Sequence, residues 1–176
     1  MAGASIVDAR IHTLTNGNAL DTFWVQDASG GAFDAPHRLA RLHVLIDQAL
    51  SGRLALPDEI RRASKSLLGG RMRAILVPPR VVIDNRASNA HTVLEVNGRD
   101  RPGLLHDVTA AISEQGLQIA SAHVTTYGVR AVDVFYVKDV FGLKVENERK
   151  LAGLRHALLA ALAPPEELAV AQAVPA

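Results

Sequence analysis

Apolar and polar residues alternate along residues 118–126. Ala120, Ala122 and Val124 fall on one side, and Ile119, Ser121, His123 and Thr125 on the other. A period of two predicts a strand. Tyr127-Gly128-Val129-Arg130 predicts a turn, and residues 131–138 a further strand paired to it as a hairpin. Upstream, Thr92–Val96 is short, β-branched and alternating, which predicts a first strand. Between them Leu104, Leu105, Val108, Ala111 and Ile112 recur at helical spacing, with Gly116 as the stop. Asp100 is placed to cap that helix, and Pro102 to suit its first turn. Leu151, Leu154, Leu158 and Leu162 mark a second helix, ended by Pro164-Pro165. The order β-α-β-β-α lacks one strand of the split βαβ, ferredoxin-like plan, so the expected class is α+β.

The same pattern occurs earlier, in part. Ile6–Thr13 lines up with Ile119–Thr126 at a spacing of 113 (119 − 6). After a turn one residue shorter in the second copy, Ala19–Asp27 meets Ala131–Asp139 at 112 (131 − 19). Leu39, Leu42, Ile46 and Leu50 then fall on Leu151, Leu154, Leu158 and Leu162. A repeat of this kind sets the domain count. The first copy is expected to have strands near 5–13 and 19–26 and a helix from Pro36 to Leu50. It has no counterpart of the first strand and helix of the second. The expected division is a partial module at 1–50, a basic linker helix and edge strand at 51–91, a module at 92–163 and a tail at 164–176. In the linker, Leu56–Leu68 predicts a helix. Val81–Ile83, after Pro78-Pro79, predicts an edge strand for the sheet of either module.

Bulk properties narrow the function. The chain has 176 residues, 48% of them hydrophobic, and a net charge of +1. That is globular, with no general attraction to nucleic acid or to an anionic membrane. The absence of cysteine excludes disulfides and thiolate chemistry and fits a cytoplasmic location. The basic stretch with Arg53, Arg61, Arg62, Lys65, Arg71 and Arg73 reads as a solvated helix flank.

The strongest candidate site is the loop Asn97–Leu105. It leads a strand into a helix N-terminus, where free N–H groups and the helix dipole favour an anion. Gly98 and Gly103 would let a ligand approach the backbone, and Asp100 or Asn97 would hold an ammonium or amide. The same residues also read simply as a good helix start, and local pattern does not decide between the two. His106-Asp107 lacks the distant partners of a metal phosphohydrolase site. His123 reads first as a packed histidine, and Asp133 and Asp21 as anchors of a turn or interface. Phe135-Tyr136 and Phe23-Trp24 suggest RNA-stacking sheets, yet adjacent rings point to opposite faces. No constellation capable of catalysis is present, and no metal site is expected.

The motif set Thr92–Val96, Asp100-Arg101-Pro102-Gly103-Leu104-Leu105, Ile119–Val124, Thr126–Gly128 and Arg130–Tyr136 resembles an ACT domain. With the first copy and the spacer Val77–Asn85, residues 3–163 resemble the C-terminal tandem ACT region of the protein-PII uridylyltransferase/uridylyl-removing enzyme family. The resemblance implies two ferredoxin-like βαββαβ modules that bind L-glutamine and regulate nitrogen assimilation, without catalytic residues of their own. The family's Mg- and UTP-dependent chemistry belongs to nucleotidyltransferase and HD domains outside these residues. The implied ligand residues are Asn97, Asp100, Arg101, Pro102, Gly103, Leu104 and Leu105, with the strand positions Ile119, Ala120 and Ser121. The first module has no such loop, so its site is expected to be crippled and the chain to be a fragment. Expected partners are the family's catalytic domains and a second copy through exposed strand edges. The competing expectations are a ligand-independent oligomerisation module and an ACT regulator of another enzyme.

Overall fold

A computed structural model describes residues 3–14, 16–27, 29–55, 60 and 76–163. Among these, the chain order is β1 (Ala4–Thr13), β2 (Ala19–Asp27), α1 (Pro36–Leu50), β3 (Arg80–Asp84), β4 (Thr92–Arg99), α2 (Leu104–Glu114), β5 (Leu117–Tyr127), β6 (Arg130–Asp139) and α3 (Glu148–Leu162). The helix expected over Leu56–Leu68 lies outside the described residues except for Ile60, and so does the tail at 164–176. The six strands form one antiparallel sheet in the order β2-β1-β5-β6-β4-β3.

Strands β5-β6-β4-β3 with α2 and α3 make the ferredoxin-like plan. The outer strand is drawn from upstream of β4 instead of following α3. β3 pairs along β4 from Arg80↔Asn97 to Asp84↔Val93, which assigns it to the second module. The core lies between one face of this sheet and the two helices. Alternate residues Leu94 and Val96 of β4 and Phe135 and Val137 of β6 meet Leu104, Val108 and Ile112 of α2 and Leu154 and Leu158 of α3. Behind β4, Thr92 donates its hydroxyl to Asn85 Oδ1 (2.7 Å) and accepts the Val145 N–H (2.9 Å), which ties two loops together.

The alternation expected along β5 is broken. A bulge between Ile119 and Ser121 places Ile119 against the core, on the side of Ala122 and not opposite it. An extra residue in a strand reverses the facing of what precedes it. The first copy has the same irregularity between Ile6 and Asp8, 113 residues earlier (119 − 6; 121 − 8).

The two copies join through β1 and β5. Their register is Asp8↔Thr125, Ala9↔Val124, Arg10↔His123, Ile11↔Ala122 and His12↔Ser121. Arg10 and His123 are themselves repeat mates (123 − 10 = 113), so the seam has a local two-fold axis between them. Helix α1 forms as its spacing predicts, with Pro36 in the first turn, but it has no buried residue. Arg38 anchors its start through the Gly3 carbonyl (2.7 Å) and the face of the buried Phe33 ring (4.4 Å).

Candidate functional site

The loop after β4 is built more tightly than its sequence suggests. Asp100 does not cap α2. The N-cap position is Gly103, at φ 82°, and no side chain caps the helix. The reason is a turn closed first by the Leu104 N–H donating to the Arg101 carbonyl (3.1 Å), which leaves Asp100 one turn too early and Pro102 outside the helix. The Asp100 N–H instead donates to the Val129 carbonyl (2.8 Å), which fixes the loop to the β5–β6 hairpin. Its carboxylate accepts the Arg101 N–H.

Arg101 is held inside the fold. Its Nη2 reaches Asp107 Oδ2 (2.6 Å) and the Ala161 carbonyl (2.8 Å), so it pins the loop to both helices. At the C-terminal end of α3 the cation also opposes the helix dipole. Both glycines read as ligand-approach points are packed by the protein. A Cβ built on Gly98 would lie 2.7 Å from Leu162 Cδ2, and one on Gly103 2.5 Å from Ile60 Cγ2. Leu104 is core, and Leu105 packs partly against the core. Asn97 is buried on the sheet face opposite the helices and donates to Glu95 Oε1 (2.7 Å). The Leu104 N–H is taken by the Arg101 carbonyl, so what is left for a ligand is the rest of the first turn of α2, where leading N–H groups lack partners within the helix.

Ile119, Ala120 and Ser121 do not meet this loop within their own module. Ile119 pairs with Val137, which is opposite Thr92 at the start of β4. The loop leaves the other end, level with Ala131 and Thr126. Five residues from Ser121 to Thr126 span about 17 Å. Across the seam the antiparallel register brings the repeat mates Ile6–Asp8 toward the loop end of the sheet, since Asp8 pairs with Thr125. Asp8 Oδ1 there is buried without a hydrogen-bond partner.

A second carboxyl lies on the inward side of β6, opposite Val96. Asp133 occupies an inward position of β6, between Ala131 and Phe135, and is 2% exposed. Burial pushes its pKa up to about 7, the Thr125 N–H opposes that rise, and the negative charge of Asp100 adds to it. Burial also holds the Asp100 carboxyl above its ordinary range, against the Arg101 N–H and charge. Asp133 Oδ1 has no hydrogen-bond partner. Its depth was readable in one signal, an acid at a β6 position where alternation demands an apolar side chain.

The remaining candidates scatter. His12 and His123 are exposed on the helix-free face. His106 contacts Asp107 (3.2 Å) at the surface. His91 stands edge-on to Tyr136, and burial lowers its pKa. Phe135 is core, whereas Phe23 and Trp24 are both about half exposed, Trp24 beneath Arg10 (5.5 Å). Among the described residues no group of three or more metal-ligating acids or histidines comes together. None of their helices is long and apolar enough to cross a membrane.

This sheet order, with a strand–turn–helix loop at one end, defines a small ferredoxin-like α+β module. The chain belongs to the ACT-like family: the family described as "ACR9-like, ACT-like domain" matches residues 80–175. Over 162 residues, 92% of the chain, it is 65% identical to a bifunctional uridylyltransferase/uridylyl-removing enzyme of Gluconobacter oxydans. The same enzyme of Azospirillum brasilense is 60% identical over 166 residues, and that of Rhodospirillum rubrum 50% over 162. The chain spans 17 to 18% of the length of these relatives, so it corresponds to an ACT-like part of them and not to the whole enzyme. No solved structure matches it.

Proposed function

We propose that this chain is the amino-acid-sensing region of a protein-PII uridylyltransferase/uridylyl-removing enzyme, with L-glutamine as its effector. Glutamine bound at the start of α2 would bias catalytic domains elsewhere in the protein from attaching uridylyl groups to PII signalling proteins toward removing them. The observation that carries the reading is the 65% identity across both copies to such an enzyme. A strand–turn–helix loop with Gly103 at φ 82° at the start of α2 supports it. The carboxylate of the amino acid suits the N–H groups of the first turn of α2. A sensor needs weak binding only, and millimolar affinity corresponds to about −4 kcal/mol. Coupling to a catalytic domain needs about 1–3 kcal/mol of difference between two states.

Calorimetric titration of the chain with L-glutamine tests this. The expected result is saturable binding in the millimolar range that Asp100→Ala weakens. No heat up to tens of millimolar glutamine would remove the sensing role. A second reading has its own observation. The apolar residues Leu39, Ile46 and Leu50 of α1 are open to solvent around a groove of about 420 Å³, as in an oligomerisation surface. Light scattering decides it: dimers that form without ligand and dissociate on Ile46→Asp favour this role, and a monomer at all concentrations excludes it.

A further inference from the structure

The helix-free face of the sheet carries a cluster of cations with no part in the sensing role proposed above. Arg99 of β4 and Arg130 of β6 stand directly opposite each other, and Arg80 of β3 is opposite Asn97, two residues before Arg99. Alternation puts all three on the face away from the helices, since their strand neighbours Val81 and Ala131 are core and Gly98 lies against Leu162 of α3. Opposed residues of an antiparallel pair have β-carbons about 5 Å apart and diagonal ones about 7–8 Å, within reach of arginine side chains. Arg80 and Arg130 are exposed, and Arg99 is half-buried. Among the described residues no side-chain hydrogen bond, ion pair or ring contact engages any of the three guanidinium groups. Arg38, Arg53, Arg101 and Arg155, by contrast, each hold a carbonyl or a carboxylate. Like charges directly opposite on a sheet repel. Glu95, the nearest acid of β4 on this face, is four residues from Arg99 and accepts from Asn97 Nδ2 (2.7 Å). Asp100, next in the chain after Arg99, accepts the Arg101 N–H. The turn does not require these residues either: the β1–β2 hairpin has Asn18 in place of Arg130 (130 − 112 = 18) and Leu14 in place of Tyr127 (127 − 113 = 14).

We infer that Arg80, Arg99 and Arg130 form an oxyanion site that takes adjacent phosphate groups of a small polyanion, pyrophosphate or a nucleoside triphosphate. The inference goes beyond amino-acid sensing and does not rest on it. A guanidinium presents a planar fork of N–H donors that matches phosphate oxygens. Three forks spread over three neighbouring strands exceed what one phosphate needs and suit two or three in series. The anion neutralises the repulsion between Arg99 and Arg130. The face is open, so it enters without displacing the loop before α2. Tyr127, opposite Arg130 and 67% exposed, puts an aromatic ring beside the cluster for the base of a nucleotide. A net charge of +1 over the whole chain gives no extended field for a long nucleic acid, which favours a small ligand.

Calorimetry on the whole chain at pH 7.5 and low salt, without divalent cations, tests the site with pyrophosphate and with adenosine triphosphate. Saturable binding in the submillimolar range that weakens as salt rises is expected for both. Arg99→Gln combined with Arg130→Gln is expected to weaken each at least tenfold. Removing two opposed like charges should leave the urea midpoint unchanged or higher, so weaker binding is not a failure to fold. Triphosphate bound at least fivefold more tightly than pyrophosphate, with the preference lost in Tyr127→Ala, assigns the site to a nucleotide. Equal binding of the two assigns it to a free polyphosphate. No saturable binding of either anion, or binding that the double variant leaves unchanged, overturns the site. A single-stranded RNA bound more tightly than both, with the same dependence on Arg99 and Arg130, overturns the assignment to a small anion.

Discussion

Helices α1 and α3 share a spacing of leucines and share almost nothing in their surroundings. Leu158 of α3 is 0% exposed, and its repeat mate Ile46 of α1 is 51% exposed. Leu162 is buried, and its mate Leu50 is 86% exposed. The difference is the bed. α3 lies against α2 and the β4–β6 face, while among the described residues the first copy has no equivalent of β4 or α2 beside α1. Periodicity is enough to make an amphipathic helix, but the stabilisation comes from the partner surface. The same contrast holds in the sheet, where Phe135 is fully buried and its mate Phe23 is about half exposed.

Paired substitutions in the two copies test that contrast. Leu158→Ala is expected to cost about 2–5 kcal/mol in urea unfolding, as core leucines do. Ile46→Ala should cost less than about 1 kcal/mol, since little surface is lost; a loss equal to that of Leu158→Ala would mean that α1 is covered in solution. Next come the paired acids. Asp133 has a folded pKa of about 7 against an ordinary 3.8. Between those values the unfolded chain is ionised while the fold keeps its proton, so stability falls as pH rises through this window and stays low above it. Asp133→Asn should therefore raise stability at pH 8 by on the order of 2 kcal/mol or more and change little below pH 4. Asp21→Asn, at the exposed mate, should stay within about 0.5 kcal/mol throughout.

Glycines give a smaller step. Gly103 and Gly17 both have φ above +80°, but only Gly103 has a neighbour, Ile60, in the path of a Cβ. Both alanine variants should lose about 1 kcal/mol to the left-handed backbone, and Gly103→Ala more, by thermal or urea melts. The smallest expected effect is Arg101→Lys, which keeps the charge and loses the planar guanidinium whose Nη2 serves both Asp107 and Ala161, at about 1 kcal/mol by urea melts.

Local pattern made most of the elements legible. The strands at 118–126 and 131–138 and the helix from Pro36 to Leu50 need only periodicity and turn residues. The features that local pattern left open or misplaced depend on partners distant in sequence. Val81–Ile83 has no local mark of which module it joins, because its pairing with β4 crosses a loop held by Asn85, Thr92 and Val145. Asp100 looks like a cap until Arg101 and Leu104 close a turn ahead of the helix. Ile119–Ser121 were expected to face a loop from a partner module, and sequence does not show that register puts them at the far end of the sheet from the loop of their own module. Asp133 was visible as an acid out of pattern, but its enclosure depends on the core that packs on the inward side of β6.

The β1–β5 seam is symmetric in register about a two-fold axis, with Arg10 facing its repeat mate His123. Two separate copies of a single module would pair through this strand in the same way. A one-module protein of this lineage would then need no new surface to dimerise. Fusion would have changed only the accounting, replacing an encounter between two molecules by a tether within one and freeing each half to diverge.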